Sequence, residues 1–142
     1  MLVRCLYASR AVVPLADGTL EAIFKQARKH NPAYGITGML AHANDVFVQA
    51  IEGGRGDVSQ LLSNLYKDAR HTGVEILSFE EITERKFGHW TMGQVKLASV
   101  SPVLLLKYSE KAVLNPFTCN GAATMALLME IAASGAIVNR NA

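Results

Sequence analysis

A chain of 142 residues, half of them hydrophobic and 18% charged, has the size and composition of one globular domain with a real core. A formal net charge of +2 without a Lys/Arg run argues against a nucleic-acid partner, and no apolar stretch approaches the ~18 residues of a membrane span. Cys5 and Cys119 are far apart without CxxC spacing, and no signal peptide is visible, so a cytoplasmic protein without a disulfide framework is expected.

Residues 2–9 predict a first strand, with Val3, Cys5, Tyr7 and Ser9 on one face. If that face is covered, Tyr7 carries a phenol into the core, where it needs a partner. A loop with Pro14 and Gly18 comes next. From Thr19 to His30 the period turns helical, with Leu20, Ile23, Phe24 and Ala27 at i, i+3, i+4 and i+7. Asp17 or Thr19 can cap its start, and Pro32 stops it, leaving Asn31 at the lip of the helix end.

Two apolar runs, Ile36–Ala41 and Val46–Ile51, flank His42-Ala43-Asn44-Asp45 and predict a β-hairpin. On its second arm Phe47, Gln49 and Ile51 share a face. Gln49 is the outlier, an amide between two large apolar neighbours where burial without partners costs about 1–3 kcal/mol. The glycine-rich Gly53-Gly54-Arg55-Gly56 before a helix could bind an anion, but reads first as a strand-to-helix turn needing positive φ. A second helix is expected from Asp57 to Lys67, with Asp57 and Gln60 as a capping box. It runs out in Asp68-Ala69-Arg70-His71-Thr72, with Gly73 as terminator. Residues 74–83 and 89–98 predict two further strands.

The order β-α-β-β-α-β-β implies an α+β fold: a ferredoxin-like βαββαβ sheet with an extra strand and two helices on one face. The tail differs. Ser101-Pro102 opens a short helix, and residues 121–134 are helical and apolar nearly all round, so they must be covered by the domain, another chain, or both.

No strong catalytic motif is present, and His30, His42, His71 and His89 lack metal-ligand spacing, so no metal site is expected. The notable set is polar: Tyr7, Gln49 and Asn31, on faces that should be covered. The first strand and the hairpin's second arm are neighbours in a ferredoxin-like sheet, which brings Tyr7 within reach of Gln49. Such a pair can satisfy itself in the core or serve a ligand; the residues alone leave both open. Trp90 and Met92, on one face of the last strand, read first as core.

LYAS at 6–9, HNPAYGITGML at 30–40, FVQAIEG at 47–53, DARHTG at 68–73 and RKFGHWTM at 85–92 resemble, in order and spacing, the signature segments of BLUF domains, blue-light sensors using flavin. The resemblance covers residues 2–98; LLLKYS and the apolar helix further resemble short stand-alone BLUF proteins of the PixD kind. It implies a flavin-binding domain over residues 1–98 and a helical extension over 99–142 that caps it and provides an association surface. The cofactor implied is FAD, with FMN possible. Tyr7, Gln49 and Asn31 match the flavin-bonding positions, and Ser9, Trp90 and Met92 those around the switching glutamine. Ile23, Phe24 and Leu61 become candidate ring contacts; Arg28, Lys29, Arg70 and His71 candidate phosphate contacts; Asp68 also matches a position near the cofactor. His30 stands where relatives often have a second Asn, and Asn64 where some have Arg. The implied function is light sensing without enzymatic turnover, signalling through the last strand and the tail, within a homo-oligomer or to a separate partner. A small acylphosphatase-like hydrolase or a plain interaction module are the alternatives; against the hydrolase, the basic residues other than Arg55 do not sit at the glycine turn, and several lie in helix ends.

Overall fold

The computed structural model describes residues 1–12, 17–43 and 45–134. Pro14 and Asn44, part of the expected loop and hairpin turn, lie outside them.

Five strands form one sheet in the order β4-β1-β3-β2-β5: β1 (Leu2–Ala11), β2 (Thr37–Ala43), β3 (Val46–Gly54), β4 (His71–Ile82) and β5 (Gly93–Lys96). The first four are antiparallel neighbours, as the split βαβ arrangement requires, and β5 adds parallel to β2. Helices α1 (Asp17–His30) and α2 (Arg55–Lys67) cover one face; α3 (Pro102–Tyr108) and α4 (Gly121–Ser134) lie on the other.

Because both faces are covered, β1 is buried from Val3 to Ser9, and alternation sorts its residues into two cores. Val3, Cys5 and Tyr7 pack with Phe24, Leu40, Phe47, Ile51, Val58 and Leu62 under α1 and α2. Leu6 packs with Met39, Val48, Ala50, Leu127, Leu128 and Ile131 beneath α4. The apolar α4 is thus covered by the domain itself. Its one charge, Glu130, accepts from Lys107 Nζ at 2.6 Å and from the Tyr108 hydroxyl at 3.0 Å, joining α4 to α3.

α1 ends at His30, and Asn31–Tyr34 continues as a single 3₁₀ turn with Pro32 inside it. Gly35 closes that turn at φ 65°, a left-handed conformation suited to glycine. Several expectations are corrected. β3 runs through Gly54 (φ −65°) directly into α2 at Arg55, so the glycine segment is no positive-φ turn. Gly54 is the N-cap and no side chain caps it, so Asp57 and Gln60 form no capping box. Thr19 lies within α1. Gly73 ends no helix; at φ 62° it sits in β4 where the β1 pairing slips between Ala8 and Arg10, a bulge that favours glycine.

The last strand is shorter than expected. Residues 83–92 form an irregular connection, so Trp90 and Met92 precede β5, and they face opposite ways. Met92 joins the core under α1 and α2, and Trp90 the core beneath α4.

Candidate functional site

Between α1 and α2, over the sheet, lies a cavity of about 450 Å³, within the range of small-molecule sites. Helical spacing builds its walls. Ile23, Gln26, Ala27 and His30 recur at i, i+3, i+4 and i+7 on α1, and Asp57, Gln60, Leu61, Asn64 and Leu65 line the facing side of α2. Strand alternation builds its floor from Tyr7, Leu40, Phe47 and Gln49.

Tyr7 and Gln49 are direct cross-strand partners in the β1–β3 register, which brings their side chains together on the cavity face. The Tyr7 hydroxyl donates to Gln49 Oε1. The other end of the amide, Nε2, donates to Met92 Sδ at 3.1 Å. The buried glutamine is thereby satisfied at both ends, and a second Nε2 hydrogen remains. Burial raises the Tyr7 phenol above its ordinary pKa, with Cys5 and Asp68 nearby adding to the rise, so it stays a neutral donor. Beside it, burial pushes the Cys5 thiol up to about 12.

Asn31 is held at the cavity by the turn that Pro32 and Gly35 enforce. Its Nδ2 donates to the Thr91 carbonyl at 2.9 Å, and among the described residues nothing donates to its Oδ1. At the rim, Asp68 receives Arg70 Nη2 at 2.6 Å and Nε at 2.9 Å, and Arg70 Nη2 also reaches Gln26 Oε1 at 2.9 Å. The Arg70 bonds hold the Asp68 carboxyl below its ordinary range, and Asp68 in turn raises the Arg70 guanidinium. His71 spans Leu65 O (Nε2, 2.8 Å) and Ser9 Oγ (Nδ1, 2.9 Å). A carbonyl can only accept, so Nε2 carries a proton, and in the Nε2–H tautomer Ser9 donates to Nδ1.

A cavity with apolar walls and convergent phenol and amide groups suits a flat, largely apolar ligand with polar edges. The family model described as "Sensors of blue-light using FAD", BLUF, matches residues 2–93. The chain belongs to the BLUF family. As a BLUF protein it is a flavin-binding blue-light sensor domain. It is similar to the BlsA photo-activated state, with a TM-score of 0.84 and 30% identity over 93% of this chain and 95% of that one. It is also similar to BlrB, "a BLUF protein", with a TM-score of 0.75 and 32% identity over 94% of this chain and 96% of that one. The photoactivated adenylate cyclase subunit beta of Euglena gracilis is 36% identical over 87 residues, 61% of this chain. This chain spans only about 10% of that relative's length. The small-hydrolase alternative finds no support among these relatives.

Within the BLUF cavity the structure gathers Tyr7, Gln49, Asn31, Ile23, Leu61, Asp68, Arg70 and His71. Ser9 stands behind His71, and Met92 behind Gln49. Three expected contacts fall outside the lining. Phe24 is buried in the core, Lys29 is exposed, and Arg28 turns its Nη2 to the Met92 carbonyl at 3.4 Å with its guanidinium 5.0 Å from the Phe24 ring. Trp90 is 7% exposed on the far side of the sheet, away from the glutamine. Sequence reasoning missed Gln26, Gln60, Tyr34 and Leu65. The polar repeat Gln60–Asn64, at i and i+4 beside an apolar stripe, was the available signal.

Proposed function

We propose that the cavity binds FAD and that Tyr7, Gln49 and Met92 convert light absorption into a change of hydrogen bonding that the tail passes to another protein. The observation that carries this is the unbroken chain from Tyr7 through Gln49 to Met92 at the floor of the cavity. The residues fit a flavin: Ile23, Phe47 and Leu61 offer apolar walls, Asn31 Oδ1 and the second Nε2 hydrogen of Gln49 offer polar partners for a ring edge, and Arg70 offers positive charge for phosphates. When bound, a flavin would supply a blue-absorbing ring that can accept an electron from a nearby donor.

Tyr7 is that donor. Oxidation makes a phenol a far stronger acid, and its proton has a ready path to Gln49 Oε1 along the existing bond. Gln49 has an acceptor oxygen and two donor hydrogens, so it can take the proton and then turn or tautomerise. Either outcome alters its bond to Met92. A net hydrogen bond is worth about 0.5–1.5 kcal/mol, which is comparable to the ~1–3 kcal/mol of typical allosteric coupling.

The chain acts in the cytoplasm and has no turnover of its own; residues 1–98 are the sensor, and the extension 99–142 associates within a homo-oligomer or with a downstream partner. Exposed Val103, Leu106 and Val113, at 77%, 52% and 67%, support an association surface there. The test is to load purified protein with FAD and illuminate it with blue light. A yellow protein with a reversible red shift is expected; a colourless one despite excess FAD overturns the reading.

A further inference from the structure

Glu52 is fully buried, and the light-driven relay does not use it. It lies three residues beyond Gln49 on β3, so it projects from the opposite face of the sheet. Its carboxylate gathers Arg4 Nε at 2.8 Å and Nη2 at 2.7 Å, the Lys86 N–H at 2.9 Å and the Phe87 N–H at 2.6 Å. Arg85 adds Nη1 bonds to Thr37 Oγ1 at 2.8 Å and to the Glu52 carbonyl at 3.2 Å.

One end of the connection from Arg85 to Met92 is therefore fastened to β3 from the α4 side. The other end is fastened from the cavity side: Gln49 Nε2 to Met92 Sδ at 3.1 Å, Arg28 to Met92 O at 3.4 Å, and Asn31 to Thr91 O at 2.9 Å. At this same end, the Gly38 N–H donates to the Trp90 carbonyl at 3.0 Å. The two ends are held differently. At Glu52 an ionised carboxylate takes charge-assisted bonds from four donor groups, the stronger kind. At Gln49 a neutral amide meets a thioether, a weak acceptor.

We propose that Glu52 is a positioning residue for the light response. It fixes the Arg85–Phe87 end of this connection, so that a rearranged Gln49 amide moves the Trp90–Met92 end and, through it, β5. This rests on the Tyr7–Gln49 relay proposed above. A fixed point makes the response directional. With one end anchored, release at Met92 displaces Trp90 within the core beneath α4, and the anchored end returns the sulfur to register in the dark.

Amide hydrogen exchange of the FAD-loaded protein, dark and illuminated, reads this directly. Illumination should speed exchange at Gly38 by about tenfold or more while Lys86 and Phe87 stay protected. Glu52→Gln keeps the size but sets an N–H₂ against donors and removes the charge opposite Arg4. It should retain FAD, speed exchange at Lys86 and Phe87 in the dark by about tenfold, and change the dark-recovery rate by about threefold or more. Should Glu52→Gln not fold, the half-buried Arg85→Gln, which loosens the same end, carries the same expectations. Light that frees Lys86 and Phe87 as much as Gly38 overturns the proposal. So does a folded variant with wild-type exchange and recovery. Absence of a red shift in the wild type is instead the failure of the relay, and the dark exchange of Glu52→Gln reads the clamp without illumination.

Discussion

Gln49 donates its amide nitrogen to the sulfur of Met92 at 3.1 Å while its oxygen accepts the hydroxyl of Tyr7. The buried amide therefore links Tyr7, the proposed electron donor, to the connection leading into β5. Each part of that link can be removed separately.

Gln49→Leu is similar in volume and removes both ends of the link. The variant should bind FAD and show no light-state spectrum. It leaves the buried Tyr7 hydroxyl without its partner, which costs about 1–3 kcal/mol, to be read as a lower denaturation midpoint in urea. A normal red shift in this variant would rule out the relay.

Met92→Leu removes the sulfur acceptor at nearly constant volume, a change costing less than about 1.5 kcal/mol. The red shift should survive, because the Tyr7–Gln49 bond is intact, while dark recovery changes. Recovery at the wild-type rate would mean that the Nε2 bond to sulfur takes no part.

Asp68 and Arg70 give a pH dependence with a definite sign. The Arg70 bonds lower the Asp68 carboxyl below its ordinary 3.8 in the folded protein. A depressed carboxylate stabilises the fold fully above its unfolded value, and that contribution is lost as pH falls through the folded value. Asp68→Asn should therefore be less stable than wild type at neutral pH, by about 1 kcal/mol or less for a partly exposed pair. The two stability curves should converge below pH 3.8. Curves that stay parallel through the acid limb would contradict the assignment.

Association calls for point changes, not truncation. A chain ending at Ser99 would lose α4, whose Leu127, Leu128 and Ile131 are fully buried against the sheet, so failure to associate could not be told from failure to fold. Val103→Glu with Leu106→Glu leaves that core intact, since both side chains are exposed. Sedimentation should report a smaller assembly for this double variant; an unchanged oligomer would move the association surface elsewhere.

The sheet and the central pair were legible because both obey local rules. Alternation puts Gln49 on the same face of β3 as Phe47 and Ile51, and the split βαβ order makes β1 its neighbour, which is where the register sets Tyr7. The features that were not legible depend on contacts between distant residues. The connection at 83–92 has no period to read, so nothing in Trp90-Thr91-Met92 reveals that its two large side chains enter opposite cores. The family resemblance makes Arg28 a candidate phosphate ligand, yet the Met92 carbonyl lies within its reach in the fold. Glu52 stands inside the segment FVQAIEG and still gives no sign of its role, because its partners Arg4, Lys86 and Phe87 lie 34 to 48 positions away. Gly73 reads as a helix terminator because a glycine at positive φ suits a bulge in β4 just as well.

The most direct measurement is the light-minus-dark absorption difference of FAD-loaded wild type beside Tyr7→Phe. The wild type should show a reversible red shift, and Tyr7→Phe, with FAD still bound, should show none. A full and reversible shift in Tyr7→Phe would contradict the assignment of Tyr7 as electron and proton donor, and with it the relay through Gln49.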